Sequence, residues 1–138
     1  MSMGCQLLDQ LRHRSYDQDG VHIVELEVSD DILGPGGAVH GGIIASLVDR
    51  AGAYAIAQAS QRVVATSNMA LNYLALADVG PLRAIASTLR VGRQLGVVEV
   101  KVVDAGRDDR LVATALVTLS YLTGDLSSSS KREPVGRG

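Results

Sequence analysis

The side chains best placed to do chemistry cluster in one short stretch of this chain. Gly36-Gly37-Ala38-Val39-His40-Gly41-Gly42 runs directly into an apolar segment that carries one carboxylate, Asp49. The first N–H groups of a helix have no intrahelical acceptor and sit at the positive end of its dipole. Glycines at that point let a ligand approach those N–H groups closely. Donors aimed at a carbonyl oxygen that is gaining negative charge form an oxyanion site, the central requirement of acyl transfer. A carboxylate nearby would act as nucleophile or as general base on water. The competing reading is that the glycines only shape a turn. A phosphate loop and a Rossmann turn are both excluded, because the stretch lacks G-x-x-x-x-G-K-[ST] and follows no buried parallel strand.

The segment after the glycines must be a helix. From Gly41 to about Ser60, Ile43, Ile44, Leu47, Val48, Ala51, Tyr54 and Ala55 recur at i, i+3, i+4 spacing. The opposite side carries Gly42, Ala45, Ser46, Asp49, Gly52, Ala53 and Ile56. A solvated helix face is normally rich in Lys, Glu and Gln. Small residues instead let another backbone come close, so this helix is expected to be covered on both sides, by its own sheet and by a second subunit. Asp49 then has two readings: an ion pair with Arg50 or a partner's arginine, or a reactive carboxylate in a dry cleft. Two turns of helix separate Gly41 and Gly42 from Asp49, roughly 11 Å along the axis. Two such helices packed antiparallel would bring one subunit's Asp49 to the other's Gly41, which places active sites between subunits.

The remaining elements follow from shorter patterns. Cys5 to His13 reads as a short helix, and Asp19-Gly20 as a turn. Val24, Leu26 and Val28 alternate with Glu25 and Glu27, the period of a half-buried strand. Ser29 to Val39 is a loop. Strands are expected over Val63 to Tyr73, Leu82 to Val91, around Val98 to Val102, and over Leu111 to Leu122, joined by short turns. One helix and about five antiparallel strands bury each other only if the sheet curls around the helix. The chain of 138 residues suits one domain, and with four Tyr, no Phe and no Trp its core must be Val, Leu, Ile and Ala. A net charge of −2 argues against nucleic acid. A single cysteine, Cys5, allows no internal disulfide and no Cys/His metal cluster, which fits a cytoplasmic location. No signal peptide is visible, and the longest apolar run is broken by Asp49 and Arg50, so no membrane span is expected.

Val39-His40-Gly41-Gly42, Leu47-Val48-Asp49 and Ala53-Tyr54-Ala55 together resemble the H-G-G-x(6)-D signature of hotdog-fold acyl-CoA thioesterases, nearest the PaaI-like branch of the 4-hydroxybenzoyl-CoA thioesterase superfamily. Thr66 to Tyr73 and the Gly92-Arg93 turn are similar to that family too. The resemblance implies an α+β hotdog fold, an antiparallel sheet of five to six strands wrapped around one long central helix. It divides the chain into residues 1–20 as an N-terminal segment with a short helix, 21–123 as the hotdog domain and 124–138 as a disordered tail. It implies hydrolysis of acyl-CoA by a homodimer or a homotetramer built as a dimer of dimers. No metal or prosthetic group is implied; coenzyme A enters only as part of the substrate. Carried over residue by residue, the Gly41 N–H polarises the thioester and Asp49 of the opposing subunit attacks it or activates water. Thr66, with Ser67 as second choice, places the water, and His40 supports the loop. Gly42, Ser67, Asn68 and Tyr54 are candidates for the substrate site, and Arg90 and Arg93 for coenzyme A phosphates. His13 and His22 are expected at the surface. Two departures stand out. Gly34 occupies the position, six residues before His40, where many relatives have Asn, and Leu74-Ala75 replaces the usual Pro after the strand's aromatic. Other readings are a non-catalytic acyl-CoA-binding hotdog protein and a thioesterase acting on an acyl carrier protein. The Phe-free composition leans to a medium or branched acyl chain, whereas the family leans to aromatic acids.

Overall fold

The computed structural model describes residues 6–125. A four-residue helix α1 (Gln6–Asp9) precedes strands β1 (His13–Gln18) and β2 (Val21–Leu26). A 3-10 turn at Asp30–Ile32 leads to the long helix α2 (Gly41–Ser60). Strands β3 (Arg62–Tyr73), β4 (Leu82–Val91), β5 (Leu95–Asp104) and β6 (Arg110–Asp125) follow. All six strands form one antiparallel sheet in the order β1-β2-β4-β5-β6-β3, so β1 and β3 are its edges. The expected sheet wrapped on one central helix is therefore present.

The period-two pattern explains how the sheet receives the helix. Leu82, Ala84 and Ala86 on β4, Val98, Val100 and Val102 on β5, and Ala115, Val117 and Leu119 on β6 are buried on one face. Ile44, Leu47, Val48, Ala51, Ala55 and Ile56 of α2 pack against them. With small side chains on both layers the helix lies close to the sheet. At Gly52 the gap is full: a Cβ there would sit 3.1 Å from Val98 Cγ1.

Four expectations are corrected. Gly52 and Ile56, assigned to the helix side facing a partner, are buried against this chain's own sheet. The small-residue side is narrower than the wheel suggested and consists of Gly42, Ala45, Ser46, Asp49 and Ala53. The segment before residue 21 is not separate from the sheet, because β1 pairs with β2 from His13↔Leu26 to Gln18↔Val21. Its sequence HRSYDQ shows no alternation and is mostly exposed, so periodicity had nothing to detect. Asp19 and Gly20 do form the turn, both at positive φ (52° and 81°), which suits a two-residue hairpin. Finally, His22 is buried rather than exposed, alternating with Val24 and Leu26 on the helix side. Strand β6 continues to Asp125; the rest of the expected tail, 126–138, lies outside the described residues, as does Cys5.

Strand β3 is irregular at one point. Its pairing runs Thr66↔Leu119 and then Asn68↔Thr118, so Ser67 is an extra residue, a β-bulge. Residues an odd number apart on a regular strand face opposite sides. The bulge reverses this, so Thr66 and Tyr73 both face α2. Met69 and Leu71 lie on that side as well and pack on the core.

Candidate active site

Asp49 lies midway along α2 on its small-residue side, half-buried, where the helix passes edge strand β3. The Thr66 hydroxyl donates to Asp49 Oδ1 at 2.5 Å. A hydroxyl donor on one oxygen fixes the carboxylate's orientation and leaves Oδ2 as a free acceptor. The ion pair with Arg50 does not form: Arg50 points to the other flank of the helix and meets Asp9 at 3.6 Å. Among the described residues Asp49 takes part in no ion pair.

The helix start is held from several directions. The His40 N–H donates to Ile32 O at 3.1 Å, and the Val39 N–H donates to Ala77 O at 2.7 Å. His40 caps the helix, its Nδ1 accepting the Gly42 N–H at 3.0 Å. An acceptor Nδ1 places the proton of the neutral ring on Nε2. The Tyr73 hydroxyl donates to Gly41 O at 2.6 Å. Thus the N–H of Gly42, a residue expected at the substrate site, is occupied. Among the described residues the Gly41 N–H has no acceptor. Gly41 is closely covered, since a Cβ there would lie 3.3 Å from both Cζ and the hydroxyl of Tyr73.

The loop that carries Ala77 is itself built on a buried carboxylate that sequence reasoning missed. Asp104 is fully buried and accepts four backbone N–H groups. They are Asp78 at 3.0 Å and Val79 at 3.2 Å on Oδ2, and Gly80 at 2.7 Å and Gly106 at 3.2 Å on Oδ1. Burial alone would push this carboxyl up, but the four donors together outweigh it and hold it below the ordinary carboxylate range. A signal was present. Asp104 continues the buried series Val98, Val100, Val102 at period two. Asp78 is gripped from outside by the Arg107 guanidinium, which donates to both its oxygens at 3.0 and 2.8 Å.

The other candidates fall into separate groups. The Ser67 hydroxyl donates to Thr118 O at 3.2 Å, within the sheet. Asn68, paired with Thr118, faces away from α2. Tyr54 lies on the opposite flank from Asp49, its ring stacked on His22 at 4.0 Å between centroids, with His22 Nδ1 against Asp17 Oδ1 at 2.9 Å. These three residues do not join the Asp49 cluster within the chain. Arg90 and Arg93 do come together, lining an open recess at the β4–β5 turn with Gly92, Gln94 and Leu95. Arg62, which sequence reasoning did not single out, donates to Arg93 O at 3.4 Å and stacks over Tyr121. Thr66, Leu119 and Gly96 are cross-strand neighbours, so this turn begins about 10 Å from Thr66, two strand spacings away. Among the described residues no three His, Cys, Asp or Glu side chains cluster as a metal site requires, and no helix is long and apolar enough to cross a membrane.

Comparison with known proteins identifies the family. A family model described as Thioesterase superfamily matches residues 36–113, which include the helix start, Asp49, Thr66 and Tyr73. A Halobacterium salinarum protein provisionally named an esterase is 47% identical over 75 residues, 51% of this chain and 49% of that one. The match therefore spans about half the length of that relative. A Listeria monocytogenes 1,4-dihydroxy-2-naphthoyl-CoA hydrolase is 28% identical over 89 residues, 63% of this chain and 72% of the other. In fold, the E. coli PaaI protein of the phenylacetic acid degradation operon superposes with a TM-score of 0.79 at 23% identity, covering 88% of each chain.

Proposed function

The chain belongs to the Thioesterase superfamily, and from that premise we propose that it hydrolyses acyl-CoA thioesters to free acid and coenzyme A, with Asp49 as the catalytic carboxylate. One observation carries the assignment of Asp49. Its carboxylate is oriented by the Thr66 hydroxyl at 2.5 Å on the open, small-residue side of the helix rather than spent in an ion pair. The unpaired Gly41 N–H at the helix start supplies the oxyanion donor. The kinship with a naphthoyl-CoA hydrolase supports coenzyme A as the carrier.

In the reaction, Asp49 Oδ2 either adds to the thioester carbonyl, forming a mixed anhydride, or takes a proton from the water that adds. The electron pair displaced onto the carbonyl oxygen meets the Gly41 N–H. When the carbonyl re-forms, the coenzyme A thiolate leaves and takes up the water's proton; on the anhydride route water then cleaves the anhydride, releasing the acid and restoring the Asp49 carboxylate. His40, with its proton on Nε2, stands next to Gly41 as a further donor at the carbonyl. The recess of Arg90 and Arg93 receives phosphate groups, a short distance along the sheet from Asp49.

Within one chain, Gly41 and Asp49 are about 12 Å apart along the helix axis, too far to act on one carbonyl. Strand β3, an uncharged edge from Val63 to Tyr73, can pair with its copy in a second subunit. An antiparallel pairing about a two-fold axis would lay the two helices side by side and bring each Asp49 to the other chain's Gly41. We therefore propose a homodimer, or a homotetramer built as a dimer of such dimers, with two sites per dimer. The test is Asp49→Asn assayed with a thiol-trapping dye on benzoyl-, phenylacetyl- and medium-chain acyl-CoA. It should lose at least about 10²-fold in kcat with KM little changed. An unchanged kcat on a substrate that the wild type hydrolyses would remove Asp49 from the reaction.

A further inference from the structure

We propose that Tyr73 is a positioning residue for the oxyanion donor, holding the Gly41 backbone so that its N–H points at the thioester. This rests on the reading of Gly41 as that donor.

The geometry concerns one peptide group. The Gly41 carbonyl and the Gly42 N–H belong to the same peptide unit. Tyr73 donates to its oxygen at 2.6 Å, and His40 Nδ1 accepts its N–H at 3.0 Å. The unit is gripped at both ends by side chains from different elements, β3 and the loop before α2. The preceding N–H, that of Gly41, is left without an acceptor among the described residues. The unit that carries it is held at its carbonyl end, where His40 O accepts the Ile43 N–H at 2.9 Å and the Ile44 N–H at 3.3 Å. Tyr73 holds the next unit, so the hinge between the two is the φ and ψ of Gly41, which glycine leaves loose. A Cβ at Gly41 would stand 3.3 Å from Cζ and the hydroxyl of Tyr73, a contact that the ring must shift to admit.

Tyr73 is otherwise hard to explain. It is 52% exposed, so its ring contributes little to the core, yet its hydroxyl turns inward to a helix carbonyl. It reaches that carbonyl only because the Ser67 bulge turns both Thr66 and Tyr73 to the helix side of one strand. The same edge strand thus orients the carboxylate at one end and the amide donor at the other.

Tyr73→Phe removes one exposed hydroxyl. The expected result is a loss of about tenfold in kcat with KM within about twofold, since a misdirected donor weakens transition-state rather than ground-state binding. Tyr73→Phe combined with His40→Ala should lose clearly less than the product of the two single losses, because both side chains act on one peptide group. A kcat equal to wild type in Tyr73→Phe, or losses that simply multiply in the double variant, would overturn the proposal. Amide exchange at Gly42, read without substrate, should accelerate in Tyr73→Phe, and an unchanged rate would also overturn it. Asp49→Asn run in parallel separates the two levels. A wild type that releases no thiol from any acyl-CoA of the panel sinks the thioesterase reading; an Asp49→Asn variant with full activity sinks only the role of Asp49; an inactive Asp49→Asn beside a Tyr73→Phe that is normal in rate and exchange sinks only the role of Tyr73.

Discussion

Replacing Asp104 by Asn should destabilise the protein by about 3 kcal/mol without changing its shape. The carboxylate accepts four buried N–H groups, two on each oxygen. An asparagine side chain retains one oxygen for one pair of donors. Its NH2 group confronts the other pair, donor against donor. Leaving a buried donor unsatisfied costs ~1–3 kcal/mol, so two of them give ~2–6 kcal/mol, moderated by relief of the buried charge. For a chain of this size that is a fall of roughly 8–12 °C in Tm, measured by calorimetry at one fixed protein concentration. Acid adds a second check. The folded-state pKa of Asp104 is lowered, so its stabilisation is fully present above the unfolded value near ~3.9 and disappears as pH falls through the folded value. Asparagine cannot titrate, so the stability gap should be constant from neutral pH to about 5 and shrink below about 4. A variant within about 0.5 kcal/mol of wild type, or a gap equally wide at pH 3 and pH 7, would refute the reasoning.

Two further outcomes bear on the geometry of the layers. Gly52→Leu must place a side chain where Val98, Val100 and Val117 already stand, and should lower Tm by several degrees or prevent folding, whereas Gly52→Ala should stay within about 1 kcal/mol because better helix propensity offsets the crowding. Ser67 is the extra residue of the bulge, so deleting it should restore regular alternation with Thr66, Met69, Leu71 and Tyr73 still on the helix side, and both the deletion variant and Ser67→Ala should keep the wild-type circular dichroism; a deletion variant that does not fold would contradict the bulge argument.

Much of the fold was legible because its core obeys two simple periods. The helix over Gly41–Ser60 and the strands β3 to β6 stand where apolar spacing placed them, and the carboxylate at Asp49 and its glycine-rich approach stood out as unlike a solvated face. The same period carried two signals that were not followed: His22 precedes Val24 and Leu26, and Asp104 follows Val98, Val100 and Val102, each in buried register. A polar side chain in such a register reads as exposed by its type, although a buried polar group with partners is normal. Other features were illegible in principle. No residue type announces the bulge at Ser67, and without it Tyr73 counts to the wrong face. Strand β1 is polar on both faces and is recognised only by its partner. Arg62 meets the turn that carries the basic recess through a contact 31 positions away in the chain, which no local pattern encodes.

The rim strand has a consequence for how this protein is made. From residue 63 to 73 it contains no Lys, Arg, Asp, Glu or Pro, the residues by which most proteins keep a bare sheet margin from recruiting strangers. A newly folded single chain therefore offers a template with few defences, and the outcome depends on what arrives first. Meeting its own copy closes the margin; meeting any other extended chain propagates it. If the proposed dimer forms, yield on synthesis should follow how quickly identical chains find one another, and an excess of other unfolded chains over this one should favour mispairing of the margin.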